Sequence, residues 1–139
     1  TDQEKHMARQ YSIALRDAWN NQYETTIGTT PTLTFFVGTQ PATCATADSG
    51  TVLVIMTLPS DWQAASSGGV SAKSGTWSGT AVGTGSAGHY RLKASGGTVH
   101  EQGTITATGG GGDLTLDNIS IATGQTVTQN TWTRTAPGA

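Results

Sequence analysis

The sequence predicts a mainly-β fold: a single antiparallel β-sandwich, jelly-roll-like, with an N-terminal amphipathic α-helix. Three observations predict it. The chain of 139 residues has the length of one domain. Its 19 glycines, abundant threonines and 12% charged residues fit many short strands joined by tight turns. One segment alone, at the N-terminus, carries helical rather than alternating periodicity. Residues 1–27 are accordingly expected to form a helix and linker belonging to the same domain, and 28–139 the sandwich.

The helix is predicted over residues 3–23. Met7, Tyr11, Ala14, Leu15, Ala18, Trp19 and Tyr23 recur three or four apart, while Glu4, Arg9, Arg16 and Asp17 fall mostly elsewhere. Thr1 and Glu4 have the spacing of a capping box, and no glycine or proline intervenes before Gly28. Such an aromatic stripe is expected to dock, either on the sandwich or on a neighbouring subunit.

After the GTTP break, TLTFFVG reads as a strand with Leu33, Phe35 and Val37 on one face and Phe36 on the other. In TVLVIMTLP, Val52, Val54, Met56 and Leu58 share one face and Leu53 and Ile55 the other, so this strand needs cover on both sides. Phe36, Leu53 and Ile55 are thus the expected docking surface for the helix or for a partner chain. PSDWQAASSGG reads as a loop, in which Trp62 is expected at a contact. Short strand signals follow around VSAKSGTW and GTAVG.

GHYRLKA and TVHEQGTITA flank SGG as a hairpin, with Tyr90, Leu92 and Ala94 toward the core and His89, Arg91 and Lys93 toward water. DLTLDNISIA and TVTQNTWTRT close the chain. Leu114 and Leu116 have opposite parity to Ile119 and Ile121, which predicts a bulge or corner at Asp117-Asn118. The same slip between Val127 and Trp132 places a second break at Gln129-Asn130. The total is about seven or eight strands at turn-punctuated spacing.

The chemistry-bearing motifs are sparse. GTGSAG has the letters of a dinucleotide fingerprint, but a strand follows it where a helix N-terminus is required. GGGG at 109–112 has no lysine and serine to grip phosphate and magnesium. His89 and His100 share the solvent face of the proposed hairpin, Glu101 is nearby but of opposite parity, and with no obvious third metal ligand the histidines are read as surface residues. Asp48, Asp61, Asp113 and Asp117 lie in or beside loops, isolated from one another, and turn chemistry accounts for them. The single cysteine, Cys44, has no basic flank to activate it and no partner for an internal disulfide. Trp132 is expected in the core. No convergent set of acid, base and nucleophile is legible, so no enzyme, cofactor or metal is expected. A formal net charge of −2 without a basic stripe argues against nucleic acid. No apolar run approaches the ~20 residues of a membrane span. TDQEKHMARQ is too polar for a signal peptide, which disfavours secretion by that route and empties the Asn118-Ile-Ser120 glycosylation match of meaning.

FFVGTQPATCATADSGTVLVIMTL, the AGHYRL strand and the ending DLTLDN-SI--GQTVT together resemble a family of small virion proteins encoded by tailed bacteriophages and prophages. The resemblance covers most of the chain after the helix, and its motifs are structural. It implies a capsid decoration, or cement, protein made in the bacterial cytoplasm, which binds the major capsid protein on the outside of the shell and forms a dimer or trimer. A neck or tail attachment protein, or a carbohydrate- or receptor-binding sandwich, is the alternative. The candidate interface is Met7, Tyr11, Leu15, Trp19, Tyr23, Phe36, Leu53, Ile55 and Trp62.

Overall fold

A computed structural model describes residues 9–139. The expected capping box, Met7 and the first part of the expected helix lie outside the described residues. Helix α1 spans Ile13–Ile27, so it starts later and ends later than the periodicity suggests. Ser12 sets its start: the residue is extended, with φ −62° and ψ 153°, and its Oγ accepts a hydrogen bond from the Leu15 amide at 3.2 Å. The Tyr11 amide instead donates to the Gly138 carbonyl at 2.9 Å, which ties the entering chain to the C-terminal end. Gly28, at φ 88°, stops the helix, and its amide donates to the Glu24 carbonyl.

Ten strands follow: β1 Thr32–Val37, β2 Val52–Thr57, β3 Val70–Ala72, β4 Ser78–Thr80, β5 Gly85–Lys93, β6 Val99–Ala107, β7 Leu114–Leu116, β8 Ser120–Ile121, β9 Thr126–Thr128 and β10 Thr133–Thr135. The main sheet is curled and runs β2-β1-β5-β6-β7, with β8 paired to the start of β5. Two ribbons, β10-β3 and β4-β9, complete the strand pairing. The mainly-β expectation and the β5–β6 hairpin both hold.

Both expected corners are present. At Asp117-Asn118 the chain leaves its pairing with β6 and turns to β5, and the Asn118 Oδ1 accepts from the Ser120 amide at 2.9 Å. At Gln129-Asn130 it leaves β4 for β3. Four short strands therefore stand where the spacing suggested two.

The expectation of an antiparallel sheet needs one correction, because β7 runs parallel to β6. Parallel neighbours ordinarily need a long crossover. Here the GGGG run lets six residues suffice by doubling the chain back over Thr106. The Gly112 amide donates to Thr106 Oγ1 at 3.0 Å, and a Cβ on Gly112 would sit 2.9 Å from the Thr106 backbone nitrogen.

The core lies on one face of the main sheet. Leu33, Phe35, Val54, Met56, Tyr90, Leu92 and Ile105 meet Leu114, Leu116, Ile121, Val127 and a tryptophan cluster of Trp62, Trp77 and Trp132. Trp62 is fully buried, in correction of its expected place at a contact, and its indole N–H donates to the Gly28 carbonyl at 2.9 Å.

The opposite face of β1 and β5 departs most from expectation. His89 and Arg91, expected in water, are 0% and 1% exposed. The connection between β1 and β2 folds over them. His89 stacks on Phe36 with ring centroids 4.9 Å apart, and its Nδ1 bonds the Gly38 carbonyl at 2.8 Å. Arg91 reaches Asp48 at 2.6 Å and the carbonyls of Thr43 and Cys44, while Lys93 reaches the other oxygen of Asp48 at 2.5 Å. The loop supplies the acceptors that make these cations buriable.

Candidate functional site: the outer face of the helix

The expected docking of the apolar helical stripe is reversed. Arg16, Asn20 and Ile27 are buried, whereas Ile13 is 59%, Leu15 41% and Trp19 40% exposed. The inward side is held by hydrogen bonds. Arg16 Nε and Nη2 both donate to the Ala136 carbonyl, the latter at 2.8 Å. Asn20 Nδ2 donates to Ser66 Oγ and the Gly69 carbonyl, and the Asn20 carbonyl accepts from Gln63 Nε2 at 2.8 Å. Asp17 accepts from Ser66 Oγ and the Gly69 amide, and those bonds hold its carboxyl below the usual range. Glu24 accepts from the Gln63 amide at 2.8 Å; burial pushes its carboxyl up against that bond.

Arg16, Asp17 and Glu24 are all the charged residues of α1, and each is hydrogen-bonded to the body of the fold. The outward positions Ile13, Ala14, Leu15, Ala18, Trp19, Asn21, Gln22, Thr25 and Thr26 carry no charge. A surface helix of a water-facing protein ordinarily shows the opposite polarity.

Tyr23 anchors the helix to the sheet. Its hydroxyl donates to Glu101 Oε1 at 2.6 Å, and the Tyr90 hydroxyl donates to Glu101 Oε2 at the same distance. The Arg134 guanidinium lies 3.7 Å above the Tyr23 ring. Burial first, then the Glu101 charge, push both tyrosine hydroxyls well above their ordinary value. Glu101 is a structural acceptor here, its oxygens engaged by two phenols and by Arg134 at 3.4 Å. Beside it, a depression of ≈ 280 Å³ between Trp19, Gln22, Tyr23, Thr26, His100 and Arg134 extends the uncharged helical face onto β6.

The sequence-derived interface residues scatter. Leu15 and Trp19 share the outward face, and Tyr11 packs edge-on against Trp19 at 4.9 Å. Tyr23 lies at its inner border. Phe36 and Leu53 are fully buried away from the helix, which corrects their reading as its docking surface; Phe36 lies under the β1–β2 connection and Leu53 in the core. A register break between Phe35 and Phe36 on the β1–β2 ladder alters the alternation there and lets adjacent Leu53 and Val54 both be buried. Ile55 is 50% exposed on β2, and α1 packs instead on β3.

Sequence reasoning missed Arg16, Asn20, Glu24 and Glu101. The first three recur four apart, a polar stripe as regular as the apolar one, and that was the available signal. Among the described residues no group of three or more metal-ligating side chains converges, and no helix is long and apolar enough to cross a membrane. Comparison with family models, characterised proteins and solved structures gives no match.

Proposed function

We propose that this protein is a structural component of a tailed-bacteriophage virion, a decoration protein that docks on the outside of the major capsid shell through the outer face of α1. One observation carries the proposal: every charge of the helix is spent on hydrogen bonds to the body, leaving Ile13, Leu15 and Trp19 to face outward from an uncharged surface. Hydrophobic patches of that kind mark sites of association. The family resemblance of the strands supplies the setting. A carbohydrate-binding module would need Trp62, Trp77 or Tyr90 exposed on a common face, and all three are buried, which favours the virion reading.

The test is incorporation. A Leu15→Asp/Trp19→Asp variant, made in cells producing the particles, is expected to fold normally and to be lost from purified virions. Copy number by mass spectrometry then separates stations, since decoration scales with shell area and a neck or tail protein with the single portal vertex. Undiminished incorporation of the variant would overturn helix-mediated docking.

A further inference from the structure

Among the strands that keep an unpaired edge, β7 and β9 border one groove. β7 ends the main sheet, and β9 pairs with β4 alone. Between them lies a groove of ≈ 330 Å³, walled by Thr115, Leu116 and Asp117 on one side and Thr126, Val127 and Thr128 on the other. Among the described residues, Asp117 is the only charged one in its lining.

The ladders show which backbone groups face this groove. The Ala81 amide donates to the Gln125 carbonyl and the Gln129 amide to the Trp77 carbonyl, so positions 125, 127 and 129 bond toward β4. Antiparallel alternation then turns the peptide groups of Thr126 and Thr128 to the groove. On β7, Leu116 bonds toward β6, its carbonyl accepting from the Thr108 amide at 2.9 Å, which leaves the peptide groups of Thr115 and Asp117 on the groove side.

One side chain already bridges the gap. Gln129, 1% exposed, donates through Nε2 to the Thr115 carbonyl of β7 at 3.2 Å and to the Thr131 carbonyl at 2.7 Å. Its Oε1 has no hydrogen-bond partner among the described residues. A carboxamide here does what the peptide group of an intervening strand would do: it joins one edge to the other.

We infer that this groove takes an extended segment of a partner polypeptide as an added strand between β7 and β9. Backbone hydrogen bonds to the Thr115 amide, Asp117, Thr126 and Thr128 would hold it beside the Thr115 carbonyl that Gln129 already engages, with uncharged side chains suited to the threonine walls. Both strands are three residues long, so the contact is a short one of two or three rungs. The inference is independent of the role of α1.

The experiment is an amide-resolved NMR titration of the full chain with an acetylated, amidated Thr-Val-Thr-Val-Thr peptide. Signals of Thr115, Asp117, Thr126 and Thr128 are expected to shift, with slowed amide exchange at those positions. The same peptide N-methylated at alternate amides, in either register, is expected to produce no shift, a control that leaves the protein untouched. Thr128→Pro removes a groove-facing donor while sparing the β4 ladder, and is expected to abolish binding. No perturbation up to roughly 1 mM peptide, equal shifts with the N-methylated peptides, or shifts from maltotriose in place of the peptide would each overturn the inference.

Discussion

The hydroxyls of Tyr23, on the helix, and Tyr90, in the sheet, converge on opposite oxygens of the same carboxylate, Glu101, each at 2.6 Å. Helix and sheet are thereby joined through one half-buried carboxylate, and the junction is sensitive to alkali. Both hydroxyls are raised from an ordinary value of 10.0, by burial and then by the Glu101 charge. The folded chain keeps protons that the unfolded chain releases, so this stabilisation is complete below pH 10 and declines as pH rises above it. Tyr23→Phe/Tyr90→Phe is expected to flatten the alkaline limb of a stability–pH curve measured by urea unfolding. The cost at neutral pH should be about 1.5–3 kcal/mol per bond lost to a charged acceptor.

Asp48 clamps the β1–β2 connection over the second face of the sheet. Burial raises its carboxyl, but the bonds from Lys93 and Arg91 outweigh that and leave it below its ordinary 3.8. Its contribution is therefore present above that value and fades as pH falls through the lower folded value. Asp48→Asn is expected to cost about 1–3 kcal/mol, reduced from a fully buried pair because Asp48 is partly exposed. Hydrogen exchange should accelerate across residues 38–51 while the amides of β6 stay protected.

Two neighbours on α1 should behave in opposite ways to expectation from residue type. Asn20→Leu puts an apolar side chain where Ser66 and the Gly69 carbonyl need a donor, and is expected to destabilise by about 1–3 kcal/mol. Trp19→Ala, on the outward face where its ring meets Tyr11, is expected to cost less, about 0.5–1.5 kcal/mol. Thermal unfolding of the two variants side by side reads the polarity of the helix directly.

The glycine run can be tested at Gly112. Alanine there would press its Cβ on Thr106, at 2.9 Å from both the backbone nitrogen and Oγ1. Gly112→Ala is expected to cost about 1–3 kcal/mol. Circular dichroism should retain the β signature, while exchange of the β7 amides rises above that of β5.

The local decisions were legible in the residues alone: a helix before Gly28, the β5–β6 hairpin about Ser95-Gly96-Gly97, and the corners at Asp117-Asn118 and Gln129-Asn130. These follow from side-chain periodicity and turn chemistry, which act within a few residues. Tertiary structure decided which side of each element counts as inside. The burial of Arg91 required an Asp48 distant in sequence, and the inward turn of Arg16, Asp17, Asn20 and Glu24 required backbone partners at Ala136, Gly69 and Gln63. Apolar periodicity registers only the gain from removing hydrocarbon from water. A polar stripe buries just as well when the fold delivers a partner to every donor and acceptor, and that supply is a property of the assembled chain.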